Sequence, residues 1–259
     1  MLLAVSGEVA AQSRVAGKSH TGDLRWQTYF IGQRHVMSTP DTPAYFKEVG
    51  DYPQCHLSEM SPGQNIRPHF HETNQFQVMA AGSATLGGEA LPLIALHYGD
   101  HHTVFGDLTA GPEGMCLFTL CAQTDPGGIY LHQQGAKDLL KPSKRRSLLA
   151  KGIVLSPESV LQNRGALALE DLFEKNTDTT DGLGAFMLRM GAGMKTTGSD
   201  PKRTGGQYYL VLNGSLHMGG ASYPVWSAVY ADPTEAPLEL CAGPRGIEAL
   251  VMNFPRIEA

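Results

Sequence analysis

Short apolar runs recur along the chain, and glycine or proline cuts each one before it reaches the length of a typical helix. Gln75-Phe-Gln-Val-Met-Ala and Gln207-Tyr-Tyr-Leu-Val-Leu have the β-branched and aromatic content of strands, and glycines (Gly82 and Gly214) close both runs. Ser83 to Leu86 and Ser215 to Met218 follow as partner strands, each ended by a Gly-Gly pair suited to a tight hairpin. Met115 to Cys121 and Ile247 to Phe254 supply a late apolar run in each half. Residues 165–176 predict a short packing helix. The pattern as a whole predicts an all-β chain of antiparallel strands closed into jelly rolls or barrels, which limit unpaired edges.

The pattern repeats. A shift of 132 residues aligns Gln75 to Leu120 with the second half without a gap, giving 13 identities in 46 positions. Average residue usage would give about three. Most of the identities are turn-forming: Gly82-Ser83 on Gly214-Ser215, Gly87-Gly88 on Gly219-Gly220, Pro92 on Pro224, and Ala110-Gly111-Pro112 on Ala242-Gly243-Pro244. Glycine and proline fix backbone paths, so a backbone plan has been duplicated. The expected organisation is an arm over 1–23, a first barrel over 24–140, a polar basic linker over 141–150 and a second barrel over 151–259.

Composition narrows the function classes. Of 259 residues, 42% are apolar and 17% charged, which excludes a disordered chain. The net charge of −5 argues against nucleic acid or an anionic membrane as the main partner. No apolar run approaches the ~20 residues of a membrane span, and the start lacks the basic region of a signal peptide, so a cytoplasmic protein is expected. The four cysteines, Cys55, Cys116, Cys121 and Cys241, show no CxxC spacing and read as reduced thiols.

Histidine brings in the chemistry. Five of the ten histidines fall between positions 69 and 102. His69 and His71 are two apart, so on a strand both imidazoles point to one face, which is half of a metal site if that face is the barrel interior. Gln75, Gln77 and Met79 continue the alternation on the next strand. His20, His35, His56 and His132 stand alone and carry no such pattern.

The stretch Gly63-Gln-Asn-Ile-Arg-Pro-His69-Phe-His71-Glu-Thr-Asn-Gln75, with Gly82 beyond it, resembles the first motif of the cupin superfamily, Gly-x5-His-x-His-x3,4-Glu-x6-Gly. One position differs: Gln75 stands where the family has Glu. Through the repeat the resemblance spans most of the chain, which looks like a bicupin, two tandem double-stranded β-helix barrels. The resemblance implies a divalent ion at the barrel mouth, held by His69, His71 and Gln75 with a further histidine from a second motif. That second motif departs from the family. A turn shortened by two residues gives the role to His102, with His97 and then His101 as alternatives. Gln75 is either a ligand or a hydrogen-bonding partner of the ligands; with three imidazoles and an amide, the site would keep the full +2 of its ion. The equivalents of His97, His101 and His102 in the second half are Val229, Pro233 and Thr234, so that half is expected to be scaffold.

The function expected from this resemblance is a metal-dependent, dioxygenase-like oxidoreductase acting on a small organic substrate. Fe2+ would serve for cleavage of an enolisable or phenolic compound, in a pocket including His97, Gln77 and Met79. A Lewis-acid isomerase or cyclase using Zn2+ or Ni2+ is the alternative, Mn2+ being a further candidate ion, and a non-catalytic binding barrel is the other. A homodimer is what the family resemblance implies.

Overall fold

The computed structural model describes residues 1–18, 22–32, 49–175 and 177–256, so His20 and His35 lie outside the described residues. These residues form two compact units: Ala11–Ile153, and Met1–Ala10 together with Val154–Ala259. Every strand pairing within them is antiparallel, and the fold is all-β of the jelly-roll barrel kind. Among the described residues, no helix is long and apolar enough to cross a membrane.

In the first unit the strand order is Ser147–Ala150, Leu96–Gly99, Gln75–Leu86, Leu108–Cys121, Gln54–Met60, Leu24–Ile31 and Val15–Lys18. A short strand, His69–Phe70, pairs with Ile129–Tyr130, and a bridge joins His69 to Phe105. In the second unit the order is Leu2–Val5, Ala228–Ala231, Gln207–Met218, Glu239–Asn253, Gly184–Met190 and Ala168–Asp171.

The duplication is visible in the backbone. Gln75–Leu86 and Gln207–Met218 span equivalent residues, as do Leu96–Gly99 and Ala228–Ala231. Gly82 and Gly214 both adopt left-handed conformations, φ 72° and 68°, and a Cβ on either would lie about 2 Å from a carbonyl oxygen, Gly114's or Gly246's. That approach admits only glycine. Ile94 and Trp226, again 132 apart, share positive φ values of 59° and 62°, which side chains other than glycine seldom adopt.

Three expectations change. The segment 165–176 carries a strand, Ala168–Asp171, paired with Gly184–Met190; the helix lies earlier, at Glu158–Gln162. Pairing to an available sheet edge overrides the helical preference of Ala, Leu and Glu. The segment 141–150 falls inside the first unit, where Ser147–Ala150 adds to the sheet edge of Leu96–Gly99. Its two arginines are latched: Arg146 grips the buried Asp100 through Nε and Nη2, at 3.0 and 2.9 Å, and Arg145 donates to the His102 carbonyl at 2.8 Å. The arm divides, because Leu2–Val5 pairs with Ala228–Ala231 in the second unit and Val15–Lys18 pairs with Leu24–Ile31 in the first.

Candidate functional site

Cross-strand register builds the interior of the first barrel in rows. Residues opposite one another on antiparallel strands share a face. One row runs His97, Gln77, Thr119, His56 across four strands; the next runs Met79, Leu117, Ser58, Gln27; a third runs Met115, Met60, Arg25. The rows enclose a cavity of about 80 Å³ whose walls include Arg25, Gln27, His56, Ser58, Gln77 and Thr119, with His69, His71 and Gln75 at its upper wall. Polar side chains thus fill positions where a barrel of this size usually packs aliphatic ones.

His69 and His71 both reach this wall, with ring centroids 4.9 Å apart. Each is pinned through Nδ1: His69 donates to the Arg67 carbonyl at 2.8 Å, and His71 donates to the Asp125 carboxylate at 2.8 Å. A carbonyl and an ionised carboxylate only accept, so with these partners Nδ1 carries the hydrogen and the lone pair of a neutral ring sits on Nε2. Such outward bonds fix the tautomer and orientation of a metal-ligating histidine. Asp125, 2% exposed, also accepts from Gln75 Nε2 at 3.1 Å and from the Thr73 hydroxyl at 3.3 Å. Gln75 is thereby turned so that Oε1 is buried without a hydrogen-bond partner among the described residues. The segment after Asp125 closes over the histidines: Gly128 packs so tightly that a Cβ there would lie 2.8 Å from His69 Cδ2. Phe105 covers the rings from the other side, with centroids 4.8 Å from His69 and 5.9 Å from His71.

The structure does not bring His102 to the pair. It occupies the turn after Asp100 with a left-handed backbone (φ 58°), and its amide donates to the His71 carbonyl at 2.7 Å. Its ring stacks toward Phe70, 5.5 Å away, which alternates to the face opposite His69 and His71. Burial, reinforced by His101, Lys141 and Arg145, pushes its pKa down to about 4. His97 points inward, but Nδ1 donates to Gln77 Oε1 at 3.1 Å and Nε2 accepts from Ser147 at 3.0 Å, so both nitrogens are engaged. Its pKa is pushed down to about 4 by burial. Met79 joins the apolar cluster of Met60, Leu117 and Tyr130 below the polar row. Among the described residues, no three His, Cys, Asp or Glu side chains gather as a metal-holding group.

Asp125, His56 and Arg25 are among the wall residues that the sequence pattern does not single out. Asp125 precedes Pro126-Gly127-Gly128 and reads as an ordinary turn residue; His56 and Arg25 sit on strands whose polar face is indistinguishable from a solvated one. The spacing of Arg25 and Gln27, matched by His56 and Ser58, is the signal that could have found a polar interior.

The second unit packs apolar residues where the first is polar: Tyr209, Val229, Val251 and Phe186 take the places of Gln77, His97, Thr119 and His56.

No protein-family model matches the sequence, and no curated protein matches it. Solved structures do resemble it in fold. A candidate dioxygenase of Nostoc punctiforme superposes with a TM-score of 0.64 at 11% identity, over 100% of this chain and 85% of the other. A bacterial pirin of Escherichia coli in complex with nickel(II) gives 0.56 at 10% identity, over 99% and 100%. The oxalate decarboxylase of Lactobacillus farciminis in its formate complex gives 0.56 at 12% identity, over 99% and 87%. These likenesses place the fold among the cupin-type β-barrels.

Proposed function

We propose that the first barrel is a metal-dependent enzyme site acting on a small organic substrate. The observation that carries this reading is the orientation of His69 and His71: two imidazoles on a polar cavity wall, each with its proton held outward on Nδ1. Gln75 Oε1, buried and without a hydrogen-bond partner among the described residues, belongs to a residue of the same cavity wall and would be the third donor atom. Two imidazole nitrogens and an amide oxygen fit a divalent ion that keeps several positions for water or substrate. Fe2+ bound there would supply oxygen activation, for cleavage of an enolisable or phenolic compound; Zn2+ or Ni2+ would supply Lewis acidity. Asp125 keeps the His71 proton on Nδ1 and aims Gln75, and Phe105 and Gly128 shield the rings from water. Gln77, Thr119 and His56 present hydrogen-bonding groups to a bound molecule.

All three donors are neutral, so the atoms in direct contact with an ion would not offset its charge, the nearest carboxylate being Asp125 one hydrogen bond behind them. This favours substrates bound as anions. The same feature supports Lewis-acid isomerisation or cyclisation as the second reading. The candidate dioxygenase, the nickel-bound pirin and the oxalate decarboxylase share the fold and support a metal-dependent enzyme of this kind.

Metal analysis of protein purified without added metal tests the reading. It predicts near-stoichiometric Fe, Mn, Ni or Zn in the wild type and its loss in His69→Ala. Oxygen uptake with a panel of diketones and catechol-like phenols then separates the chemistries, since a metal-loaded protein that consumes none supports the Lewis-acid reading. Metal-free protein that takes up no added ion overturns both.

A further inference from the structure

Arg25 is a charged wall residue of the cavity that has no ion-pair hydrogen bond among the described residues. It is 8% exposed, faces the cavity from Leu24–Ile31, and shares a cross-strand row with two methionines, Met60 and Met115. Its Nε and Nη2 have no hydrogen-bond partner among the described residues. A buried guanidinium edge without partners is costly, because three N–H donors of a charged group have left water. Burial accordingly lowers its pKa from the ordinary value, opposed by the nearby Tyr130 and Asp23. Asp125, the carboxylate on the same wall, is already committed to His71, Gln75 and Thr73.

The same edge of a guanidinium is used twice elsewhere in this unit. Arg14 holds Glu59 through Nε and Nη2 at 2.7 and 2.9 Å, and Arg146 holds Asp100 through the same two atoms. This side-on fork matches the two oxygens of a carboxylate. In Arg25 that edge is buried and has no hydrogen-bond partner among the described residues, on a side chain that lines the cavity. Tyr130 connects it to the histidines, since its ring lies 5.2 Å from that of His69 and it interacts electrostatically with Arg25.

We propose that Arg25 is the carboxylate anchor of this cavity, so that the molecule bound beside His69 and His71 is a small organic acid. This deepens the proposed function and rests on it for the role of the histidine end. The cavity volume sets the size. About 80 Å³ is room for a few water-sized groups, which suits a small acid. The fork can hold a carboxylate or a phosphate, so phosphate is the rival that the test must separate.

The test is a calorimetric titration of the full chain with pyruvate, malonate, pyruvamide and inorganic phosphate, with Ni2+ loaded and after chelation. It uses the wild type, Arg25→Gln and Arg25→Lys. The wild type should bind at least one acid at least tenfold more tightly than pyruvamide. Arg25→Gln should lose about 10- to 100-fold for that acid and leave pyruvamide unchanged, and Arg25→Lys should recover part of the loss. Circular dichroism melting of each variant checks that the fold persists. Acid binding unaffected by Arg25→Gln overturns the assignment, as do wild-type protein that binds neither acid and phosphate binding more tightly than the acids. The two readings fail separately. Arg25-dependent acid binding by protein that takes up no Ni2+ overturns the metal site and leaves the anchor standing. Ni2+ binding lost in His69→Ala, with acid binding indifferent to residue 25, does the reverse.

Discussion

Removing the Asp125 carboxylate should loosen the histidine pair more than it loosens the fold. In the wild type three donors converge on it: His71 Nδ1 at 2.8 Å, Gln75 Nε2 at 3.1 Å and the Thr73 hydroxyl at 3.3 Å. Asp125→Ala strands the first two in a buried site, while Thr73 keeps its weak contact with Cys121 Sγ. Each stranded buried donor costs about 1–3 kcal/mol, and relief of the buried charge offsets part of that, leaving a net loss of about 2–4 kcal/mol. The functional effect is larger in proportion. Without its acceptor, His71 is free to move its proton to Nε2, and loss of such an orienting partner lowers metal affinity by about 10- to 100-fold. Asp125→Asn separates geometry from charge. Its amide oxygen can replace Oδ2 for His71 and Gln75, and its amide nitrogen can donate to Thr73, so stability should be close to wild type and Ni2+ affinity should fall only to the mild end of that range. Urea denaturation measures the first quantity and calorimetric Ni2+ titration the second. The 15N shifts of His71 give a reading that needs no metal: Nδ1-protonated in the wild type and Asp125→Asn, mixed in Asp125→Ala. An Asp125→Ala protein that binds Ni2+ like the wild type, with its His71 tautomer unchanged, would refute the role given to this carboxylate.

Gly128→Ala places a methyl 2.8 Å from His69 Cδ2, so the ring must shift against the bond to Arg67 that holds it. A stability loss of about 1–3 kcal/mol and at least a tenfold drop in Ni2+ affinity are expected from urea denaturation and calorimetry, overpacking costing that much in a filled site. His97 titrates near 4 when folded, against 6.5 in the unfolded chain, because burial disfavours its cation. Its stabilising contribution is therefore complete above pH 6.5 and fades as pH falls through 4, a loss of about 3 kcal/mol at 1.4 kcal/mol per unit. The difference in unfolding free energy between wild type and His97→Gln, measured in urea after chelation, should shift by that amount between pH 7 and 4, with the variant gaining relative to the wild type.

Repeated glycines made the strand plan readable, because Gly82 and Gly214 occupy positions where a carbonyl leaves no room for Cβ. The shared face of His69 and Gln75 could be read from alternation alone. Alternation gives faces, however, and not which face is inside. In Leu24–Ile31 the buried alternate positions are Arg25 and Gln27, an inversion of the usual hydrophobic-in rule, so the strand reads as solvated until its partners are known. The position of His102 depends on a left-handed residue in the turn after Asp100, a choice that a non-glycine sequence does not announce. Asp125 lies 54 residues from His71, and only the fold brings them together.

The two units set one backbone plan to different uses, and the difference is concentrated in one cross-strand row. In the first barrel the row is His97, Gln77, Thr119, His56, each member a hydrogen-bonding group. In the second the same places hold Val229, Tyr209, Val251 and Phe186, with Tyr209 and Val229 no more than 1% exposed. Burying the second row contributes apolar transfer energy of about 25 cal/mol per Å², whereas burying the first forfeits much of it and requires each polar group to be paired. The persistence of Gln at 75 and 207 shows what the plan needs and what the site adds. Gln207 spends its amide on Ser199 at 2.8 Å, a purely local bond. Gln75 spends its amide on Asp125, the residue that also holds His71, and leaves its buried oxygen without a hydrogen-bond partner among the described residues. A barrel that gives up apolar packing in one copy, and keeps it in the other, has the polar interior that the proposed site requires in the first copy alone.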